Sequence, residues 1–174
     1  MAAKKAKKHS KPAKKPVRPA KKAAPKAKAK AKKVQPIPAG FHTVTPYLTV
    51  RGVKGLIEFV KAAFGAKLKM AHAMPDGTVM HAEVKIGDSI VMMGEARDKV
   101  LESMCYLYVK DTDKLYHQAL KAGGTSIMEP VNQFYGDRNA AVKDAWGNQW
   151  WIGTHVEDVS PKEMNKRMAA QKPQ

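Results

Sequence analysis

An internal repeat constrains this chain more than any other feature. Tyr47-Leu48-Thr49-Val50 matches Tyr106-Leu107-Tyr108-Val109 at an offset of 59, and at the same offset Leu56 falls on Leu115 and Gly65 on Gly124. Gly87-Asp88 matches Gly147-Asn148 at an offset of 60, which places Ile90 on Trp150 and Val91 on Trp151. Self-similarity at a fixed period means one supersecondary unit built twice, and a loop absorbs the one extra residue.

The unit can be read from its periodicities. From His42 to Val50 the residues alternate as in a strand, with Leu48 and Val50 on one face and Thr45, Tyr47 and Thr49 on the other. Val53, Leu56, Ile57, Val60 and Phe64 follow at helical spacing, and Gly65 stops the helix. Leu68 to Ala73, the alternating run after Pro75-Asp76-Gly77, and Ser89 to Gly94 read as three strands separated by turns. The order is βαβββ. The second unit predicts a strand, a helix over about 112–122 and three more strands. The last two are carried by Val142 to His155, VKDAWGNQWWIGTH, where adjacent tryptophans must point to opposite faces: Trp150 to the core, Trp151 to the concave side. Ser160, Pro161 and Glu163 form a capping signature for a short C-terminal helix within 160–174.

The first 35 residues are of another kind. Of the 32 Lys and Arg, 15 precede Val34 with no acid among them, leaving 17 basic against 15 acidic residues in the remainder. The +17 formal charge therefore belongs almost wholly to a Lys/Ala/Pro tail, which reads as disordered because charge repulsion and prolines oppose any helix and nothing apolar is available to bury. The tail resembles those of linker histones and some nucleoid proteins in composition. Lys4, Lys5, Lys7, Lys8, Lys14, Lys15, Lys21, Lys22, Lys32 and Lys33 are candidates for sequence-independent contact with DNA or RNA. Such a tail predicts salt-dependent DNA retention that disappears when residues 1–34 are removed; retention unchanged by the truncation would exclude it. The alternative is a solvated extension with no selected partner. Cys105 is the only cysteine, so no intrachain disulfide is possible. No apolar run reaches the length of a membrane span, and the basic N-terminus has no apolar stretch behind it, so the expected location is cytoplasmic, possible nucleoid association included.

From Pro36 to Val159 the chain resembles the vicinal oxygen chelate superfamily of glyoxalases, bleomycin-resistance proteins and dioxygenases. MPDGTVMHAEVKIGDSIVMM, QFYGDR and KDAWGNQWWIGTHVEDVSPKEM are similar to its PhnB-like branch. The resemblance implies an α+β fold at 36–159. Two tandem βαβββ modules, at about 41–95 and 102–156, would form an eight-stranded cup-like mixed sheet with helices on the convex face, and a homodimer. In metal-using relatives the ion sits in the cup, held from the first and last strand of each module. The matching positions here are Thr45, Val91, Met104 and Trp151, and a slip of one residue either way brings no His or carboxylate to any of them. No Gly-rich strand-to-helix loop offers a place for a nucleotide-derived cofactor either. No cofactor and no metal are expected.

What the sequence offers in their place is a non-metal pocket. His81 and Glu83 alternate onto one strand face with Lys85, opposite Ala82, Val84 and Ile86, and read either as a general acid/base pair or as a polar ladder. Tyr47, Tyr106, Tyr108 and Trp151 read as an aromatic box or as ordinary sheet packing. In the loop from Glu129 to Arg138, Phe134 and Tyr135 offer a lid and Arg138 an anion-binding fork, unless Asp137 and Arg138 form a surface pair. His42, His72, His117 and His155 have no spacing partner that marks a site. The leading reading is a small-molecule protein of this fold that binds or modifies its ligand without metal. The alternatives are a nucleic-acid-associated protein whose tail does the work while the domain dimerises, and a metal-dependent lyase or dioxygenase with an atypical site.

Overall fold

The computed structural model describes residues 36–170, so the basic tail and its ten candidate lysines fall outside it. The elements run β1 (Tyr47–Val50), α1 (Val53–Phe64), β2 (Lys67–Ala73), β3 (Val79–Ile86), β4 (Ser89–Glu95), β5 (Met104–Tyr108), α2 (Thr112–Lys121), β6 (Thr125–Asn132), β7 (Asp137–Lys143), β8 (Gln149–His155) and α3 (Pro161–Ala170). This is βαβββ twice over, followed by the capped helix. Ser160 Oγ accepts from the Glu163 amide at 3.3 Å.

Hydrogen bonding divides the eight strands into two four-stranded mixed sheets, ordered β1-β4-β3-β2 and β5-β8-β7-β6. The first strand of each module lies parallel to its last strand, and the other pairings are antiparallel. What joins the modules is a shared core. α1 buries Val53, Leu56, Ile57, Val60 and Phe64 at the expected helical spacing and ends at Gly65, whose φ of 65° a side chain would oppose. Phe64 packs on the Trp150 ring at 4.8 Å, and Gln118 of α2 donates to the Ala62 carbonyl at 2.7 Å.

The last strand of each module also holds its helix. Glu95 accepts from the Gly52 and Val53 amides at 2.8 and 3.1 Å at the start of α1. Thr154, 59 positions on, accepts from the Thr112 amide at 3.1 Å at the start of α2. Satisfying the unpaired amides of a first turn from a neighbouring strand fixes helix against sheet.

The sequence reading needs two corrections. β1 starts at Tyr47 rather than His42, because Pro46 cannot donate to a ladder and the Thr45 hydroxyl folds back to the His42 carbonyl at 2.9 Å. The register in the last strands also differs from the one expected. Tyr47 lies beside Met92 and Tyr106 beside Trp151, so the offset remains 59 and the repeat partner of Trp151 is Met92. Val91 is instead the repeat equivalent of Trp150, and both are core residues, 5% and 0% exposed. The physical reason is loop length. Gly87-Asp88 is a two-residue turn, whereas its counterpart is the five-residue Asp144 to Asn148, so matching the two Gly-containing turns slides the strands by one.

Candidate functional site on the open face of the second sheet

Each sheet has one face packed on the helices and one open. Met104, Tyr106 and Tyr108 project on the open side of β5 while Cys105 and Leu107 pack on the core. The register brings Trp151 and Gly153 of β8 beside Tyr106 and Tyr108, then Asn139 beside Gly153 and Asp137 beside His155. The open face thus assembles three strands' worth of aromatic and polar side chains.

Tyr106 lies across Gly153, where a Cβ would run into its ring and hydroxyl. The ring therefore lies flat on the sheet, and its hydroxyl donates to Asn139 Oδ1 at 2.7 Å. Asn139 Nδ2 in turn donates to the Tyr135 hydroxyl, folding that loop residue over the face, with Phe134 against its edge at 5.2 Å. Beside them the Tyr108 hydroxyl donates to Asp137 Oδ2 at 3.0 Å. Asp137 Oδ1 meets His155 Nδ1 at 2.7 Å, and His155 Nε2 meets Asp158 at 3.0 Å. Asp137 and Asn139 are 5% and 1% exposed, so both depend on these partners for their hydrogen bonding. Tyr106 and Tyr108 are 40% and 68% exposed, with ring centroids 5.0 Å apart.

The electrostatics follow from the packing. Burial, with the neighbouring tyrosines and Asp137, pushes the Tyr106 hydroxyl up to about 12, and the bond to Asp137 pushes Tyr108 up as well, so neither ionises near neutrality. The carboxylates of Asp158 and Asp137 raise His155 above its ordinary value and favour the imidazolium. The two carboxylates sit on opposite ring nitrogens and do not converge on one point.

The other expected residues are placed as follows. His81 and Glu83 share the open face of the first sheet, but their nearest atoms are 3.9 Å apart, too far for Glu83 to orient the imidazole by a hydrogen bond. His81 Nδ1 instead lies 3.4 Å from the Tyr47 hydroxyl, and Tyr47 lies across Gly94 as Tyr106 does across Gly153. Arg138 is not an anion fork over the face. Alternation turns it to the helix side, where it grips Asp113 of α2 at 2.6 Å and Asn132 at 3.0 Å. Asp137 and Arg138 therefore point to opposite faces and do not pair. Met104 is exposed at the end of the face, Thr45 precedes β1 and Val91 is in the core. Burial raises the Cys105 thiol, as expected of a residue packed on the core.

His155 was missed in the sequence because its partner lies 18 positions away and becomes adjacent only when β7 and β8 pair. The Tyr-over-Gly arrangement did leave a signal: Gly94 and Gly153 keep the same offset of 59 as Tyr47 and Tyr106.

The four positions that the resemblance to metal-using relatives singled out become, with the offset of 59 kept, Thr45, Met92, Met104 and Trp151. A hydroxyl, two thioethers and an indole do not suit a catalytic divalent ion. Among the described residues no group of three or more His, Cys, Asp or Glu is arranged to hold one. A crevice of about 660 Å³ lies between the modules; it shares Met104, Tyr106 and Tyr108 with this face and reaches in to Phe64, Leu107, Leu115 and Trp150. Its inner wall, Phe64, Leu107, Leu115 and Trp150, also closes the core, and its Asp88 and Ser89 bond to each other at 2.9 Å.

The fold agrees with that of known proteins. Residues 40–152 match the Glyoxalase/Bleomycin resistance protein/Dioxygenase superfamily, and the chain belongs to that superfamily. An uncharacterized protein of Mycobacterium bovis is 29% identical over 141 residues, 74% of this chain and 93% of that one. Among solved structures, TioX from Micromonospora sp. ML1 superimposes with a TM-score of 0.59 at 20% identity, over 65% of this chain and 98% of TioX. A PhnB protein of Bacillus cereus gives a TM-score of 0.55 at 16% identity, over 65% and 99%. At these identities the likeness is one of fold.

Proposed function

We propose that the chain binds a small organic molecule on the open face of its second sheet, between Tyr106, Tyr108, Tyr135 and Trp151, without metal chemistry. The observation that carries this is the pair of exposed tyrosine rings anchored by buried Asn139 and Asp137. Rings held at a fixed angle by buried partners lose little entropy on binding, and exposed aromatic surface is what a flat ligand covers. On this reading a second copy of the chain closes the face from the other side, since Met104, Tyr106 and Tyr108 leave apolar surface uncovered in one chain.

A thermal-shift panel of small molecules on the full-length protein tests the reading, because a ligand raises apparent stability by mass action. A hit is expected to change tryptophan fluorescence saturably, and Trp151→Phe to remove that change while the fold persists. Hits whose fluorescence response survives Trp151→Phe unaltered would contradict it.

A further inference from the structure

The donor and acceptor inventory of this face defines the chemistry of its ligand. A carboxylate only accepts, so Tyr108 spends its single proton on Asp137. Tyr106 spends its own on Asn139 Oδ1. Both phenol oxygens therefore meet an incoming molecule with lone pairs only. His155 offers nothing to a ligand, because both of its nitrogens are occupied by carboxylates. Tyr135, which accepts from Asn139 Nδ2, keeps a proton to give; Trp151 Nε1 spends its own on Gln149 Oε1 at 3.3 Å, and the Gln149 amide is the other donor, at the Met104 end of the face away from the two hydroxyls.

The charges point the same way. Asp137 and Asp158 flank the single His155 ring, so the three groups together carry net negative charge whether or not the imidazole is protonated, and Asp137 brings it to the Tyr108 hydroxyl. Two nearby guanidinium groups are engaged elsewhere: Arg138 with Asp113 on the helix side, and Arg167 with Glu157, Glu163 and the Phe134 carbonyl. Lys143 shares β7 with Asp137 but stands at its far end, roughly 20 Å along the strand.

The fold does not require this network. Counting from the shared Tyr-over-Gly pairs, the first module has Val79 where the second has Asp137, Ala96 for His155 and Thr49 for Tyr108, and it forms the same sheet. Burying a carboxylate is unfavourable unless partners compensate it, so a network confined to one of two like modules is a feature of the site.

We infer that this face takes a flat cation bearing N–H donors, such as an aryl amidinium or a protonated heteroaromatic amine, with its N–H groups on the Tyr106 and Tyr108 oxygens and its ring against the aromatic side chains. Cations over phenol and indole faces gain the ring quadrupole as well as the hydrogen bonds. The inference rests on the proposed site and specifies its ligand.

Three nearly isosteric probes separate the possibilities: benzamidine, benzamide and benzoate, titrated into the full-length protein while the Trp151 indole N–H and the tyrosine ring resonances are followed by NMR. Site resonances are needed as the readout because the basic tail attracts benzoate regardless of the site. Benzamidine is expected to move these resonances with an affinity about tenfold above that of benzoate, with benzamide between them. Tyr108→Phe, which keeps the ring and removes the oxygen, should weaken benzamidine about fivefold or more and benzamide, whose N–H groups meet the same oxygen, by less; Asp137→Asn should weaken benzamidine by about as much and leave benzamide little changed. Benzoate equal to or tighter than benzamidine at these resonances would overturn the cationic class and leave the site standing. Benzamidine affinity unchanged in both variants would overturn it too. If none of the three moves the resonances, both the class and the site fall.

Discussion

Asp144→Ala is expected to lower the stability of the domain by about 3 kcal/mol or more. Asp144 closes the five-residue turn between β7 and β8 and accepts four hydrogen bonds. The Trp146 and Asn148 amides reach Oδ1, and Asn148 Nδ2 and Trp150 Nε1 reach Oδ2, each at 2.9 Å. Trp150 and Asn148 are buried, so removing the carboxylate leaves donors with no water to turn to. The loss spreads further, because the same turn carries Trp146. Its Nε1 donates to the Arg51 carbonyl at 2.7 Å, and its ring lies against Gly55 and Phe59 of α1. One turn of the second module is thus fastened to the first helix. Urea unfolding of the full-length protein measures the effect. Asp144→Asn, which keeps one acceptor oxygen, should fall between Ala and the native residue, and an Ala variant within about 1 kcal/mol of native would contradict this account of the turn.

Gly153→Ala is expected to abolish the fluorescence response to any hit from the ligand panel, an affinity loss of at least about tenfold, while the domain stays folded. The added methyl would run into the Tyr106 hydroxyl and come within 2.9 Å of its ring carbons. The far end of a flexible side chain is what it meets, so Tyr106 swings away and its bond to Asn139 breaks. Asn139 Oδ1 is then buried without a partner, at a cost of about 1–3 kcal/mol. The molecule supplies its own control. Gly94→Ala displaces Tyr47 in the same way in the first module, where Tyr47 has only the 3.4 Å contact with His81. Binding should survive Gly94→Ala. Equal losses from the two variants would mean that the second sheet is not where the ligand sits.

Much of this was legible in the sequence because it depends on local spacing. The βαβββ order, the helix ending at Gly65, the placing of Trp150 in the core with Trp151 on the open side, and the cap at Ser160 all follow from residues within one turn or one strand of each other. The candidate site depends on distances that the sequence does not display. Asp137 and His155 meet only because β7 and β8 pair antiparallel. The exchange of Val91 for Met92 was hidden by two turns of unequal length carrying similar residues. Arg138 could have been assigned correctly, since alternation alone sets it opposite Asp137. The pull toward an anion fork came from its place in a Gly-containing loop beside two aromatics. The strands form two four-stranded sheets, one per module, where the sequence reading predicts one eight-stranded sheet; Phe64, Trp150 and Gln118 join the modules through side chains rather than through a strand ladder.

The central claim is that the open face of the second sheet, and not the crevice between the modules, is the ligand site. Chemical-shift mapping with a thermal-shift hit tests it most directly. The largest perturbations are expected on Tyr135, Asn139 and the Trp151 indole, which the crevice does not reach, together with Tyr106 and Tyr108, which line both. Perturbations centred instead on Phe64, Ile86, Leu107 and Leu115, the residues of the crevice, would contradict it.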